Sequence, residues 1–239
     1  AQGLLAGASA ARGEAVVLGR DEAYAGVLVD DLVSRGVGGE PYRMFSSRAE
    51  HRLLLREDNA DRRLMPRARA LGLLSDAAWQ RFQDKAERIE RTERWCREQY
   101  LLPDEATQAR LAALGHAPVK NRTSLAELLR RPGLDWESLG SLREDRPEVQ
   151  ADEAEQVVTD LKYAGYLVRE EGRASLSRRM EAVALPQEMD LDLPGLSREV
   201  AERLMAARPA TLGAAARLPG VTPAAIDLLA VHLARRVGA

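Results

Sequence analysis

Apolar residues recur at steps of three and four through most of the chain, a period that predicts helices and leaves little room for sheet. Residues 21–35 place Tyr24, Val27, Leu28 and Leu32 on one helical face behind an acidic first turn. Gly36, Gly38, Gly39 and Pro41 stop that helix. Ser75 caps a long amphipathic helix over 76–100, whose stripe holds Trp79, Phe82, Ala86 and Ile89 and continues through Cys96 and Tyr100. Weaker patterns predict short helices over 60–71, 107–114 and 125–131, the last capped by Ser124 and closed by Pro132 and Gly133. Residues 136–143 add one turn. Asp152 caps a helix to 163 with Ala154, Val157, Val158 and Leu161 inward; Gly165 follows, then a second helix over 167–183. Ser197, Thr211 and Thr222 cap helices over 198–207, 212–218 and 223–236. Pro223 stands at a first helical position, where its missing N–H costs nothing.

Residues 42–63 resist a single reading. Ser47 and Glu50 have the spacing of a capping box, which predicts a helix from Arg48. The short apolar run Leu53, Leu54 and Leu55 also suits a strand over 51–56, and periodicity does not separate the two. The fold class is mainly α: a multi-helical region with a terminal small helical bundle. The chain is divided as 1–15, 16–72, 73–150 and 151–239, the last boundary falling in the charged, Pro147-containing stretch 143–152.

Charge narrows the functions available. In 239 residues, 35 Lys and Arg balance 37 Asp and Glu, so no global field draws the protein to nucleic acid and any such contact needs a local patch. A single cysteine excludes an internal disulfide framework, and three scattered histidines, His51, His116 and His232, make a metal cage implausible. Cys96, on its apolar stripe, is expected to be buried and inert. There is no apolar run of membrane-spanning length, and a cytoplasmic setting is expected. No phosphate loop, dinucleotide fingerprint, zinc motif or nucleophile elbow occurs, so no catalytic, cofactor-binding or metal-binding residue is expected in this chain.

The strongest local positive run is Arg43, Arg48, Arg52, Arg56, Arg62 and Arg63. On a helix, Arg48, Arg52 and Arg56 form one ridge able to grip phosphates; they are equally suited to pair with the carboxylates interspersed among them. Tyr42 and Phe45 beside them suit base stacking or a core. Residues 218–225, LPGVTPAA, have the outline of a helix-hairpin-helix but lack its second glycine. They support a weaker reading as a stand-alone nucleic-acid-binding protein.

The stretch 40–63, EPYRMFSSRAEHRLLLREDNADRR, closely resembles the signature segment of the glucose-inhibited division protein A family, departing from its commoner residues at Ser46 and His51. Residues 22–33, 160–170 and 208–233 resemble further family segments, so the likeness covers nearly the whole chain. That family is the large flavoprotein subunit of the enzyme adding a (carboxymethyl)aminomethyl group to C5 of wobble uridine in tRNA. The resemblance implies FAD and NADH in the full-length parent and none bound to this segment. It implies a homodimer, a GTPase subunit and tRNA as partners, and residues 1–15 as the closing helix of the flavin domain. The six arginines become candidates for tRNA or domain-junction contacts. Lys162, Tyr163, Gly165 and Tyr166 become candidates for partner docking. A structural dimerisation module is the alternative.

Overall fold

A computed structural model describes residues 1–35, 41–189, 191 and 193–237. It is mainly helical. The chain begins with α1 (Gln2–Arg12), which ends on left-handed Gly13 and buries none of its residues. Helix α2 (Tyr24–Arg35) follows. Its Gly26 has a steric reason, because a Cβ there would overlap the carbonyl oxygens of Leu18 and Gly19, which cross the helix. The predicted glycine stop at Gly36, Gly38 and Gly39 lies outside the described residues, as does Glu40.

The helix expected from Arg48 does not form. Ser46–Arg48 is a single 3₁₀ turn, Phe45 and Ala49 on either side are extended, and the His51 carbonyl accepts from Leu54 N and Leu55 N at 2.9 and 3.1 Å. Residues 51–56 are therefore turns, neither helix nor strand. The tertiary reason is that Ala49 and Leu55 both close a small core with Val27 and Tyr24, and a straight helix would not deliver both. Arg48, Arg52 and Arg56 accordingly do not form a ridge.

Helix α3 (Ala60–Ala70) leads into α4 (Asp76–Glu98), whose Ser75 hydroxyl accepts from Ala78 N. Helix α4 stops before Tyr100, which was expected to continue it. Tyr100–Leu101 forms β1, paired antiparallel with β2 (Thr123–Ser124), and between them lies α5 (Glu105–Ala113), capped by Asp104 two residues earlier than predicted. Asp104 accepts from Thr107 N and Ser124 from Glu127 N, the latter opening α6 (Leu125–Leu128). Asp135 caps α7 (Trp136–Leu142).

Helix α8 (Ala151–Glu181) is the largest departure. It runs unbroken through Gly165, so the two predicted helices are one, and it starts on Gln150 rather than Asp152, with the Glu153 carboxylate accepting from Gln150 N. A mid-helix glycine costs about 1 kcal/mol, which strong formers on both sides outweigh. The end is α9 (Arg198–Ala207), α10 (Leu212–Ala216) and α11 (Pro223–Val237), with Ser197, Thr211 and Thr222 hydroxyls each accepting from the backbone N–H three residues on.

Two larger apolar cores accompany the small one around Val27. One joins α4, α6, α7 and the first half of α8, with Ile89, Leu125, Leu128, Leu139, Val157 and Leu161 inside. The other joins Leu185 with α9, α10 and α11 around Leu204, Leu212, Ile226 and Leu229. Cys96 is fully buried in the first, and burial pushes its thiol up to about 12, so it stays protonated.

Candidate nucleic-acid and partner interface

The segment between α2 and α3 is organised around carboxylates. Asp31 is 1% exposed. It accepts from Arg20 at 2.7 Å and from the Tyr42 hydroxyl at 2.8 Å, and Arg48 stands 3.7 Å away, stacked over the Tyr42 ring at 4.4 Å. Burial, then the hydrogen bond to Asp31, raises the Tyr42 phenol above its ordinary value. Arg20 also reaches Asp30 and Glu50, and although burial opposes its charge, Glu50 and Asp31 raise its pKa overall.

A second node sits on α8. Asp160 accepts from both Arg56 and Arg62, the latter at 2.6 Å, and Arg56 also binds Asp58 at 2.9 Å. Burial works against the Arg56 charge, but Asp58 and Asp160 outweigh it and raise the pKa. Arg63 donates to the carbonyls of Arg56 and Glu22 and to the Asn59 side chain. Burial first, then the neighbouring Arg56 charge, lowers its pKa. All three arginines bond within the fold, although Arg62 stays exposed. Arg43 is exposed and lies over the Phe45 ring at 5.0 Å; Arg52 is exposed and has no ion pair among the described residues. Of the six, Arg43, Arg52 and Arg62 are exposed, Arg62 being already paired with Asp160, while Arg48, Arg56 and Arg63 are half-buried.

His51, in the sequence only one of three scattered histidines, has a specific place in the fold. It is buried, 3.7 Å from Glu170 of α8, and its Nδ1 has no hydrogen-bond partner among the described residues. Sequence reasoning missed Arg169, which lies over the Tyr166 ring at 4.9 Å. Tyr166 and Tyr163 meet edge-on at 6.5 Å between ring centroids, both exposed, and Gly165 between them faces open space. Lys162 is half-buried at the same level. All four residues named for partner docking lie on one stretch of α8. The hairpin at 218–222 is tied to α9, whose Arg203 donates to the Pro219 carbonyl at 2.5 Å.

The description "tRNA modifying enzyme MnmG/GidA C-terminal helical domain" matches residues 76–171, and "tRNA modifying enzyme MnmG/GidA C-terminal helical bundle" matches residues 173–239. The chain belongs to the MnmG/GidA family. The MnmG/GidA matches adjoin within the second half of α8. Among curated relatives, the "tRNA uridine 5-carboxymethylaminomethyl modification enzyme MnmG" of Geotalea uraniireducens is 44% identical over 100% of this chain and 39% of its own length. Those of Syntrophotalea carbinolica and Geobacter sulfurreducens are each 45% identical over 98% of this chain and 38% of theirs. The chain therefore spans about two-fifths of the length of these relatives. Aquifex aeolicus GidA in its form II crystal superposes with a TM-score of 0.72 at 32% identity, over 94% of this chain and 35% of that one. Its form I crystal gives 0.70 at the same identity. No helix among the described residues is long and apolar enough to cross a membrane.

Proposed function

We propose that this chain is the tRNA- and GTPase-binding region of a cytoplasmic enzyme that adds a (carboxymethyl)aminomethyl group to C5 of wobble uridine. The observation carrying the reading is the likeness, over nearly all of this chain, to relatives named for that modification. In this reading FAD and NADH belong to the full-length homodimer, α1 within residues 1–15 closes the flavin domain, 16–72 is its junction to the helical region, and the chain alone is catalytically silent. Arg43 and Arg52, the exposed arginines of the signature stretch that have no ion pair among the described residues, contact tRNA phosphate; Lys162, Tyr163, Gly165 and Tyr166 face the GTPase subunit.

The test is a pair of titrations of the 239-residue chain, one with the purified GTPase subunit and one with tRNA at several salt concentrations. Substituting Arg43 and Arg52 by alanine should weaken tRNA binding and flatten its salt slope by about one unit per lost phosphate contact. Unchanged tRNA affinity in that variant sinks the assignment of those two residues. A second reading, a structural dimerisation module, is favoured by the internal pairing of Arg56, Arg62 and Arg63. It requires both titrations to show no binding.

A further inference from the structure

Helix α8 carries one apolar stripe, and only part of it is covered. Positions 158, 161, 165, 168, 172 and 176 follow one another at steps of three or four, so they share a face. Val158 and Leu161, at its start, are buried against the α4–α6 core. Past Leu161 the same face continues as Gly165, Val168, Gly172 and Leu176, where Val168 is 75% and Leu176 58% exposed. A Cβ built on Gly165 or Gly172 meets nothing within 4 Å. At about 100° per residue, the buried Glu170 and Ala174 lie on the opposite side of the helix. The second half of α8 is thus seated on its back, with the continuation of its core-facing stripe turned outward.

The charge beside this stripe is one-sided. Arg169, on one flank, has no carboxylate within ion-pair distance among the described residues; its Nε donates to the Gly165 carbonyl of its own helix at 3.2 Å. Arg173 follows one turn on, with its side chain 75% exposed despite its bond to Glu170. On the other flank, Glu171 is taken up by Arg178.

We infer that Gly165, Val168, Gly172 and Leu176 form the seat of an amphipathic helix of another polypeptide, which presents a narrow apolar ridge to the stripe and carboxylates to Arg169 and Arg173. The inference rests on the reading that a protein partner docks on α8, and names the element it docks with. Continuity with the buried half of the stripe argues for a helix, because the face is already shaped for helix-on-helix packing where α4 meets it. The two glycines allow a close approach of backbones. Charge argues for acidic residues on the incoming edge. A second copy of this chain, paired antiparallel about a two-fold axis, would set the Arg169 flank against itself. Nucleic acid would satisfy the arginines but gain nothing from Val168 and Leu176.

Gly165→Leu, Gly172→Leu, Val168→Glu and Arg169→Glu in the 239-residue chain test this by titration with the purified GTPase subunit and, separately, with tRNA. The glycine substitutions raise helix propensity and meet no neighbour, so a loss of binding with an unchanged or higher Tm is not a folding defect. The expected result is GTPase-subunit binding weakened at least about tenfold by Gly165→Leu and Val168→Glu. Arg169→Glu should weaken it too and reduce its salt dependence, while tRNA affinity is unchanged in all four variants. Wild-type binding that none of the stripe variants disturbs overturns this inference alone. A failure of the wild-type chain to bind the subunit ends both it and the proposed docking role. Loss of tRNA binding instead assigns the face to RNA. A wild-type dimer that Gly165→Leu dissociates assigns it to a second copy.

Discussion

The helical body around α4 and the junction segment before it are held together by opposite means. In the body, Ile89, Leu125, Leu139 and Leu161 are fully buried side chains packed against one another. In the junction, the buried apolar core reduces to Val27, Ala49 and Leu55, and the organising group is a buried carboxylate, Asp31, with Arg20, Tyr42 and Arg48 around it. The junction meets the rest of the molecule in the same style, through Arg56 and Arg62 on Asp160, Arg178 on Asp21 and Arg217 on Asp30. Apolar packing is indifferent to ionic strength and rewards any well-shaped neighbour. Ion pairs specify one geometry and contribute little net stability unless each partner is present.

The sharpest test of this contrast is to damage each region at its centre. Asp31→Ala removes the buried acceptor shared by Arg20 and Tyr42 and leaves Arg20 only Asp30 and Glu50, which costs up to about 3–5 kcal/mol. Hydrogen exchange should show protection lost across 20–63 while α4, α6 and α7 stay protected. Leu139→Ala opens a cavity in the body at about 2–5 kcal/mol and should lower the melting temperature of the whole chain. If Asp31→Ala melts the body equally, the two regions are not separable.

Salt gives a smaller effect. Raising ionic strength from about 0.05 to about 0.5 M shortens the screening length several-fold. Exchange should quicken in 20–63, equivalent to about 1 kcal/mol or less per exposed pair, with the body unchanged.

Smaller still is the pH response of Lys85, which bridges Asp61 of α3 and Asp152 of α8 at 3.0 and 3.1 Å. Burial opposes the ammonium, but its two carboxylate partners raise its pKa, and its hydrogen bond lowers that of Asp152. The raised lysine contributes stability below its unfolded value of about 10.4, lost as pH rises through the folded value. The depressed Asp152 contributes above about 3.9, lost as pH falls through its folded value. The melting-temperature gap between wild type and Lys85→Met should therefore be widest near neutral pH and narrow at both extremes. A gap independent of pH would make the bridge irrelevant to how α3 is held.

The same contrast explains what was legible beforehand. Ser75, Ser124, Ser197, Thr211 and Thr222 act on backbone N–H groups three residues away, so each helix start is written locally, and the mainly helical class follows from them. The body's stripe was readable for the same reason, apart from its last residue, Tyr100, which β pairing drew out of the helix. Asp160 meets Arg56 across 104 positions, and no local pattern encodes that. The arginine ridge failed because tertiary demand on Ala49 and Leu55 overrode a plausible capping box. The Gly165 break failed because glycine weakens a helix without ending it, and both halves of α8 are anchored. For the candidate site, residue types were visible, but which arginines remain free depended on partners far away in sequence.

The unbroken course of α8 has a mechanical consequence. At about 1.5 Å per residue its 31 residues form a rod of roughly 46 Å, and rotation is transmitted along it as faithfully as length. One residue inserted near Gly165 would turn everything beyond it by about 100°, tearing Arg178 from Asp21 and Arg217 from Asp30 together. Seven residues, close to two full turns, would nearly restore the angle while moving the terminal bundle about 10 Å outward. The helix thus behaves as a drive shaft whose phase fixes where the last three helices face, and single-residue changes of its length are the ones it tolerates least.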